Sequence, residues 1–318
     1  MFQGPFVHDI DPIFATVGGV HLWWYGLSYT LGFLNAWYSL RRRRADLGLT
    51  PRDTLDLALL LAIGVLVGGR AVNVINASDF YLAHPSLIPA VWLGGMATHG
   101  LLIGGFAGVG LFCVVRRKPY RLIFDALAIP TAVILATGRV GNFIDGQILG
   151  AVTSVPWAVK FPDAEGFRHP VVLYDGLKNL LIIPAVLWVR RRGAPAGREA
   201  AVFLLLYASV RIYIDLFREY PLTVAGLPSG QAYNIALAVI GIAMLVRSLF
   251  RRKEDDPKVV RVSDFSGPRG GMWWRWMLFA ACLIFPMAIP SDSLKDVPRT
   301  YAHRHPGVEY SKIYVRIP

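Results

Sequence analysis

The chain has 318 residues, of which 54% are hydrophobic and only 17% charged, and its mean hydropathy is +0.45. These values exclude an ordinary soluble domain and identify a membrane protein. The formal charge is +12, but its Lys and Arg fall in short clusters between apolar runs, the distribution that orients membrane helices, which leaves no basic face for nucleic acid.

Residues 1–20 carry Phe2, Phe6, Phe14, Asp9 and Asp11 but no Lys or Arg, as expected of an interfacial arm on the outer side of a membrane. The first basic residue, Arg41, follows the first apolar run, so no cleavable signal peptide is expected. That run, about 20–40, has the length of a bilayer crossing and stops at Arg41-Arg42-Arg43-Arg44, an inside signal. A second span over about 55–75 carries Gly64, Gly68, Gly69 and Arg70. Residues 76–93, with Pro85, Pro89, Tyr81 and Trp92, read as an outer loop at headgroup depth. The third span, about 94–115, places Gly100, Gly104 and Gly108 on one smooth face, with His99 beside it.

Arg116, Arg117, Lys118 and Arg121 return the chain to the inside, and a fourth apolar run leads from Leu122 to Gly138-Arg139-Val140-Gly141-Asn142. Residues 143–170 are too polar and too broken by proline to span, and are expected to form a small head on the outer face. A fifth span, about 171–189, is interrupted by Asp175 and Lys178. The sixth, about 200–217, carries Tyr207, Arg211, Asp215 and Arg218 at intervals of four, four and three, which is a single helical stripe. Span seven covers about 232–246, a basic linker follows, and a run over about 273–289 is an eighth span near the lower length limit. The expectation is an all-α polytopic membrane protein with a seven-helix bundle, a small outer head and an eighth C-terminal span. Cys113 and Cys282 lie in apolar runs and support neither a disulfide framework nor a zinc site.

Arg70, Arg139, Lys178 and Arg211 thus fall in or beside the membrane on its outer half, where an arginine without a partner or a function is costly. Cations gathered there suit an anionic lipid headgroup, since arginine forks a phosphate in bidentate fashion. Structural readings stand beside this one. Arg211 is equally placed to pair with Asp215, Asp175 with Lys178 across one turn, His99 to pack as a hydrogen-bonded core residue, and Tyr25 and Tyr29 to anchor at the interface.

Several motifs carry a resemblance: Asp11-Pro12-Ile13-Phe14 with Trp24-Tyr25-Gly26-Leu27, Gly68-Gly69-Arg70, Gly94-Gly95-Met96-Ala97-Thr98-His99-Gly100, Gly138-Arg139-Val140-Gly141-Asn142-Phe143, Pro156-Trp157 to Phe161-Pro162, Arg168-His169-Pro170 with Leu173-Tyr174, Tyr207 to Arg211 with Phe217-Arg218-Glu219, and Ser229-Gly230-Gln231. In this order they resemble the bacterial prolipoprotein diacylglyceryl transferases, over about residues 8–248. The resemblance implies a multi-pass enzyme of the bacterial inner membrane with its N-terminus outside. It implies phosphatidylglycerol as donor and the lipobox cysteine of a preprolipoprotein signal peptide as acceptor, with no cofactor and no metal. By position it implies His99, Arg139, Arg211 and Tyr25 as catalytic residues, with Asn142, Gly150, Tyr207, Asp145 and Gln147 at the substrate. Arg139 and Arg211 would hold the leaving phosphate, and His99 would be the base for the thiol. The implied division is a transferase-like domain over 1–250 with its head at 143–170, a cytoplasmic linker over 251–272, and an extra span with an outer tail over 273–318.

The chain departs from that family where Asp145 and Gln147 replace an asparagine and a glutamate, where Leu101 and Ala151 replace a glycine and an arginine, and where Val172 and Asp175 replace a glutamine and a glutamate. These departures keep open a non-catalytic lipid-binding or lipoprotein-docking homologue, and a paralogue with another acceptor. A transporter is weaker, because the polar residues cluster on the outer half and no inverted repeat is visible.

Overall fold

A computed structural model describes residues 6–162, 164–219, 223–224, 227–259, 271–291 and 294–317; residues 260–270 of the expected basic linker lie outside these. The chain begins with β1 (Phe6–Val7) and a hairpin of β2 (Ile13–Val17) and β3 (Val20–Trp23). Gly18 and Gly19 close the hairpin at φ +57° and +80°, the two positive values that a two-residue turn matching the strand twist requires. Residues 20–23, expected to open the first span, are therefore strand. The helix starts only at Trp24.

The helices follow as α1 (Trp24–Arg43), α2 (Pro51–Asn76), the short α3 (Ser78–Ala83), α4 (Thr98–Val115) and α5 (Tyr120–Ile144). Strand β4 (Val159–Lys160) then pairs in parallel with β1. Next come α6 (Val171–Arg191), α7 (Arg198–Ile214), a hairpin of β5 (Thr223–Val224) and β6 (Leu227–Pro228), and α8 (Ser229–Leu249). The chain ends with α9 (Met272–Ile284), a 3-10 turn Phe285–Ala288, and α10 (Val297–Tyr301). Among the described residues, α2, α4, α5, α6, α7 with its 3-10 extension and α8 are long and apolar enough to cross a membrane. The chain is a mostly helical, multi-pass membrane protein. Helix α1 has the length, but its tyrosines, serines, Asn35 and terminal arginines keep it outside that group; α9 is apolar but shorter.

Local chemistry sets the boundaries. Thr50 and Asp53 form a capping box at the start of α2, with Pro51 in its first turn. Helix α4 begins at Thr98 and not at 94, because Gly94 and Gly95 hold φ values of +89° and +94° that an α-helix excludes. Asp125 of α5 accepts from the backbone N–H groups of Gly197 and Ala200, so α5 caps the start of α7.

The glycine stripe is a packing device. A Cβ on Gly64, Gly68, Gly100 or Gly104 would lie 2.0–2.4 Å from a backbone oxygen of the facing helix, so α2 and α4 meet backbone to backbone. One end of the bundle is basic: Lys118 and Arg116 meet Asp53 and Asp56, and Arg275 of α9 lies 2.5 Å from Asp56. From there α9 runs along α1 and α2 to the opposite end, where the Thr30 hydroxyl donates to Leu283 O and Gly26 packs under Pro286.

At that opposite end a polar-capped layer covers the bundle. It holds residues 143–170 and also the hairpin, the arm 85–95 and the C-terminal segment, which share a core of Ile13, Trp23, Leu93, Val297, Tyr301 and Tyr314. The head thus draws on more of the chain than its polar stretch alone.

Candidate active site

Helix α5 ends in glycine and asparagine, and one turn before that end Arg139 points across to α6. Its Nε donates to Asp175 Oδ2 at 2.5 Å and its Nη1 donates to Asn142 Oδ1 at 3.0 Å. Arg211 of α7 reaches the same Asp175 oxygen, with Nη1 at 2.6 Å, while its Nη2 lies 3.1 Å from Asp215 Oδ1. Lys178 Nζ takes the other Asp175 oxygen at 2.7 Å and stands 3.8 Å from the centre of the Tyr207 ring. Asp215 is held in turn by Asn234 Nδ2 at 2.9 Å. All five charged side chains are buried.

Burying so many charges is favourable only if they neutralise one another. Three cations face two carboxylates here, so the cluster keeps one positive charge in surplus. Gly176 eases the close approach of α6 to α5, since a Cβ there would sit 3.3 Å from the Arg139 Cβ.

Beneath this cluster lies an apolar cavity of about 480 Å³, whose walls come from α1, α2, α4, α5, α7 and α8. Its polar end is made by Tyr25, Arg139 and Asn142, and its far end reaches Tyr120 and Gly197 near the basic end. Along α5 that is more than twenty residues, or about 30 Å at the helical rise, roughly a bilayer core. Such a cavity suits long hydrocarbon chains beneath an anionic head.

The sequence-predicted residues separate into groups. Arg139, Arg211, Tyr207 and Asn142 come together around Asp175, and Tyr25 joins them at the cavity, its hydroxyl 2.8 Å from that of Tyr29. His99 stands at the start of α4 with its ring 4.4 Å from that of Tyr233, within electrostatic reach of Arg211, Arg139, Asp215 and Arg218. Gly150 is a packing position: its backbone bridges Arg218, and a Cβ would lie 2.3 Å from His169 O.

Asp145 and Gln147, expected at the substrate, face elsewhere. The Asp145 side chain is fully enclosed and its Oδ2 accepts from the Ser291 N–H at 2.8 Å; burial pushes its carboxyl up to about 7 against the opposing Ser291 bond and the charges of Arg304 and Lys295. Gln147 Oε1 accepts from Lys295 Nζ at 2.7 Å. Both side chains hold the C-terminal segment.

Arg70 also stands apart from the cluster. It donates to the carbonyls of Leu87, Ile88, Gly94 and Gly95 and lies over the Tyr81 ring, fastening the arm to α2. Sequence reasoning did not foresee two residues. Asp175 was visible as a buried acid in an apolar run, but only its i,i+3 partner could be read locally. Ser291, whose Oγ accepts from Asn142 Nδ2 at 2.5 Å, gave no signal, being 149 residues away from its partner.

Comparison with known proteins covers most of the chain. A family model described as prolipoprotein diacylglyceryl transferase matches residues 12–247. The chain is 38% identical over 249 residues to the phosphatidylglycerol–prolipoprotein diacylglyceryl transferase of Geobacter sulfurreducens, covering 74% of this chain and 95% of that protein. It is 36% identical over 256 residues to the protein of the same name from Bordetella parapertussis, covering 77% and 96%, and 34% identical over 249 residues to that of Nitratidesulfovibrio vulgaris, covering 75% and 94%.

Proposed function

This chain belongs to the prolipoprotein diacylglyceryl transferase family, and on that premise we propose that it transfers the diacylglyceryl group of phosphatidylglycerol to the lipobox cysteine of a prolipoprotein. The observation that carries this reading is the single Asp175 oxygen shared by Arg139 and Arg211 at the head of an apolar cavity. Two guanidinium groups held that close can act on one phosphate, and the cavity below them takes acyl chains.

In the step itself, the cysteine sulfur attacks the glyceryl carbon that carries the phosphate ester. A C–S bond forms, the C–O bond breaks, and glycerol phosphate leaves with the bonding electrons. Arg139 and Arg211 stabilise the charge that grows on the leaving phosphate, in a site that excludes water. The thiol must lose its proton to attack, because a free cysteine is largely protonated near neutrality; His99 receives that proton. Tyr25 and Asn142 orient the headgroup, and Lys178 and Tyr207 support the arginines through Asp175.

The same reading places the protein in the bacterial inner membrane with the hairpin layer and N-terminus outside. It has α1, the six long helices and α9 as eight crossings, the basic clusters lying in the cytoplasm. The departures at Asp145 and Gln147, which favour a non-catalytic homologue when viewed alone, have another account in their bonds to the C-terminal segment.

The test is purified protein with phosphatidylglycerol and a lipobox peptide, following peptide mass and glycerol phosphate release, with Arg139→Ala as control. A diacylglyceryl adduct that is lost in the variant supports the transferase. Lipid binding without adduct or glycerol phosphate replaces it with a docking role.

A further inference from the structure

The segment after α9 lies beyond residues 12–247, the extent of the family match, yet it reaches the Arg139 site. We infer that this segment is a working part of the site, with Ser291 a positioning residue that acts on Arg139 through Asn142. The inference rests on the transferase reading and concerns how its phosphate site is held.

The geometry is a clamp. Asn142 and Asp145 are three residues apart at the end of α5, and both grip Ser291. The Asn142 amide donates to the Ser291 hydroxyl at 2.5 Å, and the Asp145 carboxyl accepts at Oδ2 from the Ser291 N–H at 2.8 Å. Ser291 itself is fully buried. With Nδ2 engaged by Ser291, the Asn142 amide is fixed so that its Oδ1 faces Arg139 Nη1 at 3.0 Å. Because a guanidinium only donates, Arg139 requires the amide to present Oδ1, and the Ser291 hydroxyl anchors the Nδ2 end that this orientation leaves over. Ser291 thus holds in place the amide that aims Arg139.

The rest of the segment keeps Ser291 in place. Lys295 Nζ bonds Gln147 Oε1, its N–H donates to Leu93 O at 2.8 Å, and Arg304 Nη2 donates to Asp145 O at 3.1 Å. Further on, His21 N–H donates to the Tyr314 hydroxyl and Trp92 Nε1 to Ile313 O. Two of the positions at which the chain departs from the pattern it resembles, Asp145 and Gln147, are among those that bind this segment. The substitutions and the extension are parts of one arrangement.

The experiment is a double-mutant cycle on the full chain in detergent, with Ser291→Ala, Asn142→Ala and both together. It is read as kcat/KM for adduct formation and, separately, as affinity for phosphatidylglycerol in mixed micelles. Ser291→Ala alone is expected to lower kcat/KM about tenfold, and to add less than about twofold in the Asn142→Ala background, because its effect passes through that amide. A purely structural serine would give independent factors that multiply in the double variant, and that result overturns the inference, as does Ser291→Ala at the full wild-type rate.

If the wild type binds phosphatidylglycerol but forms no adduct, the transferase reading fails while the same cycle, read on lipid affinity, still decides the role of Ser291. If the wild type does neither, both fail. Should Ser291→Ala not fold, Lys295→Met loosens the segment at its Gln147 tether; a fall of about threefold that vanishes in the Asn142→Ala background supports the inference, and an unchanged rate overturns it.

Discussion

Arg70 and Arg139 look alike in the sequence, for each closes a glycine-containing apolar run, yet the structure uses them in opposite ways. Arg70 donates four hydrogen bonds to carbonyl oxygens of the arm 85–95. Its charge is absorbed by backbone dipoles and its fork is filled. Arg139 is held by one carboxylate oxygen that it shares with Arg211, and by one amide. Among the described residues its Nη2 meets no acceptor, and Arg139 lines the cavity. The difference teaches that an intramembrane arginine is read by its partners: carbonyl partners make a rivet, while a shared acid with surplus cations leaves a donor for a ligand.

The largest expected effect tests that contrast directly. Arg139→Ala should lower adduct formation by about 10³-fold, the order seen when a donor to developing charge is removed, while the protein remains folded. Folding survives because Asp175 keeps Arg211 and Lys178 as partners. Size-exclusion profiles with the adduct assay check both halves. Arg139→Lys should recover little, since an ammonium cannot fill both the Asp175 and Asn142 contacts and still reach a phosphate.

Arg70→Ala should do the reverse. It orphans four carbonyls in a half-buried arm, so it should lower stability by about 3 kcal/mol and leave kcat per folded molecule within about twofold. Thermal unfolding combined with a titration of active molecules separates the two; a selective loss of kcat would move Arg70 into the site and end the comparison. Gly104→Ala is expected to cost somewhat less, about 1–3 kcal/mol, because its Cβ would fall 2.0 Å from Gly64 O and the helices must part.

Much of this molecule was legible because the physics is local. Apolar runs of spanning length gave the long helices to within a few residues, and the spacing Gly100, Gly104, Gly108 gave a contact face that α2 occupies. The hairpin at residues 13–23 was hidden because residues 1–20, with three phenylalanines and no Lys or Arg, read as an interfacial arm, and residues 20–23 as the opening of the first span. The site was half visible. Tyr207, Arg211 and Asp215 share a helical stripe, and the pair Asp175 and Lys178 is a local i,i+3 contact, but the convergence of α5, α6 and α7 on one Asp175 oxygen depends on tertiary packing. The link from Asn142 to Ser291 spans 149 residues, and no local pattern announces it.

The smallest effect concerns the clamp and is a matter of pH. The Asp145 carboxyl is raised by burial from an ordinary 3.8 to about 7, so between those values the folded protein binds a proton that the unfolded chain does not. Stability from this group therefore increases as pH falls from about 7 toward 4 and is lost as pH rises through 7, with a slope of at most about 1.4 kcal/mol per pH unit. Lys295 and Arg304 face the group, and both oppose the rise. His8, beside Gly146, is lowered by burial, so it contributes with the opposite sign and blurs the raw profile. Asp145→Asn removes the titration while keeping an acceptor for the Ser291 N–H, and the His8 contribution cancels in the difference between wild type and variant. That difference in unfolding midpoint should shift toward the wild type as pH is lowered from about 8 to about 5. A difference that stays flat would mean that Asp145 is ionised across the whole range, and that the segment is held to α5 by charge and not by a neutral acid.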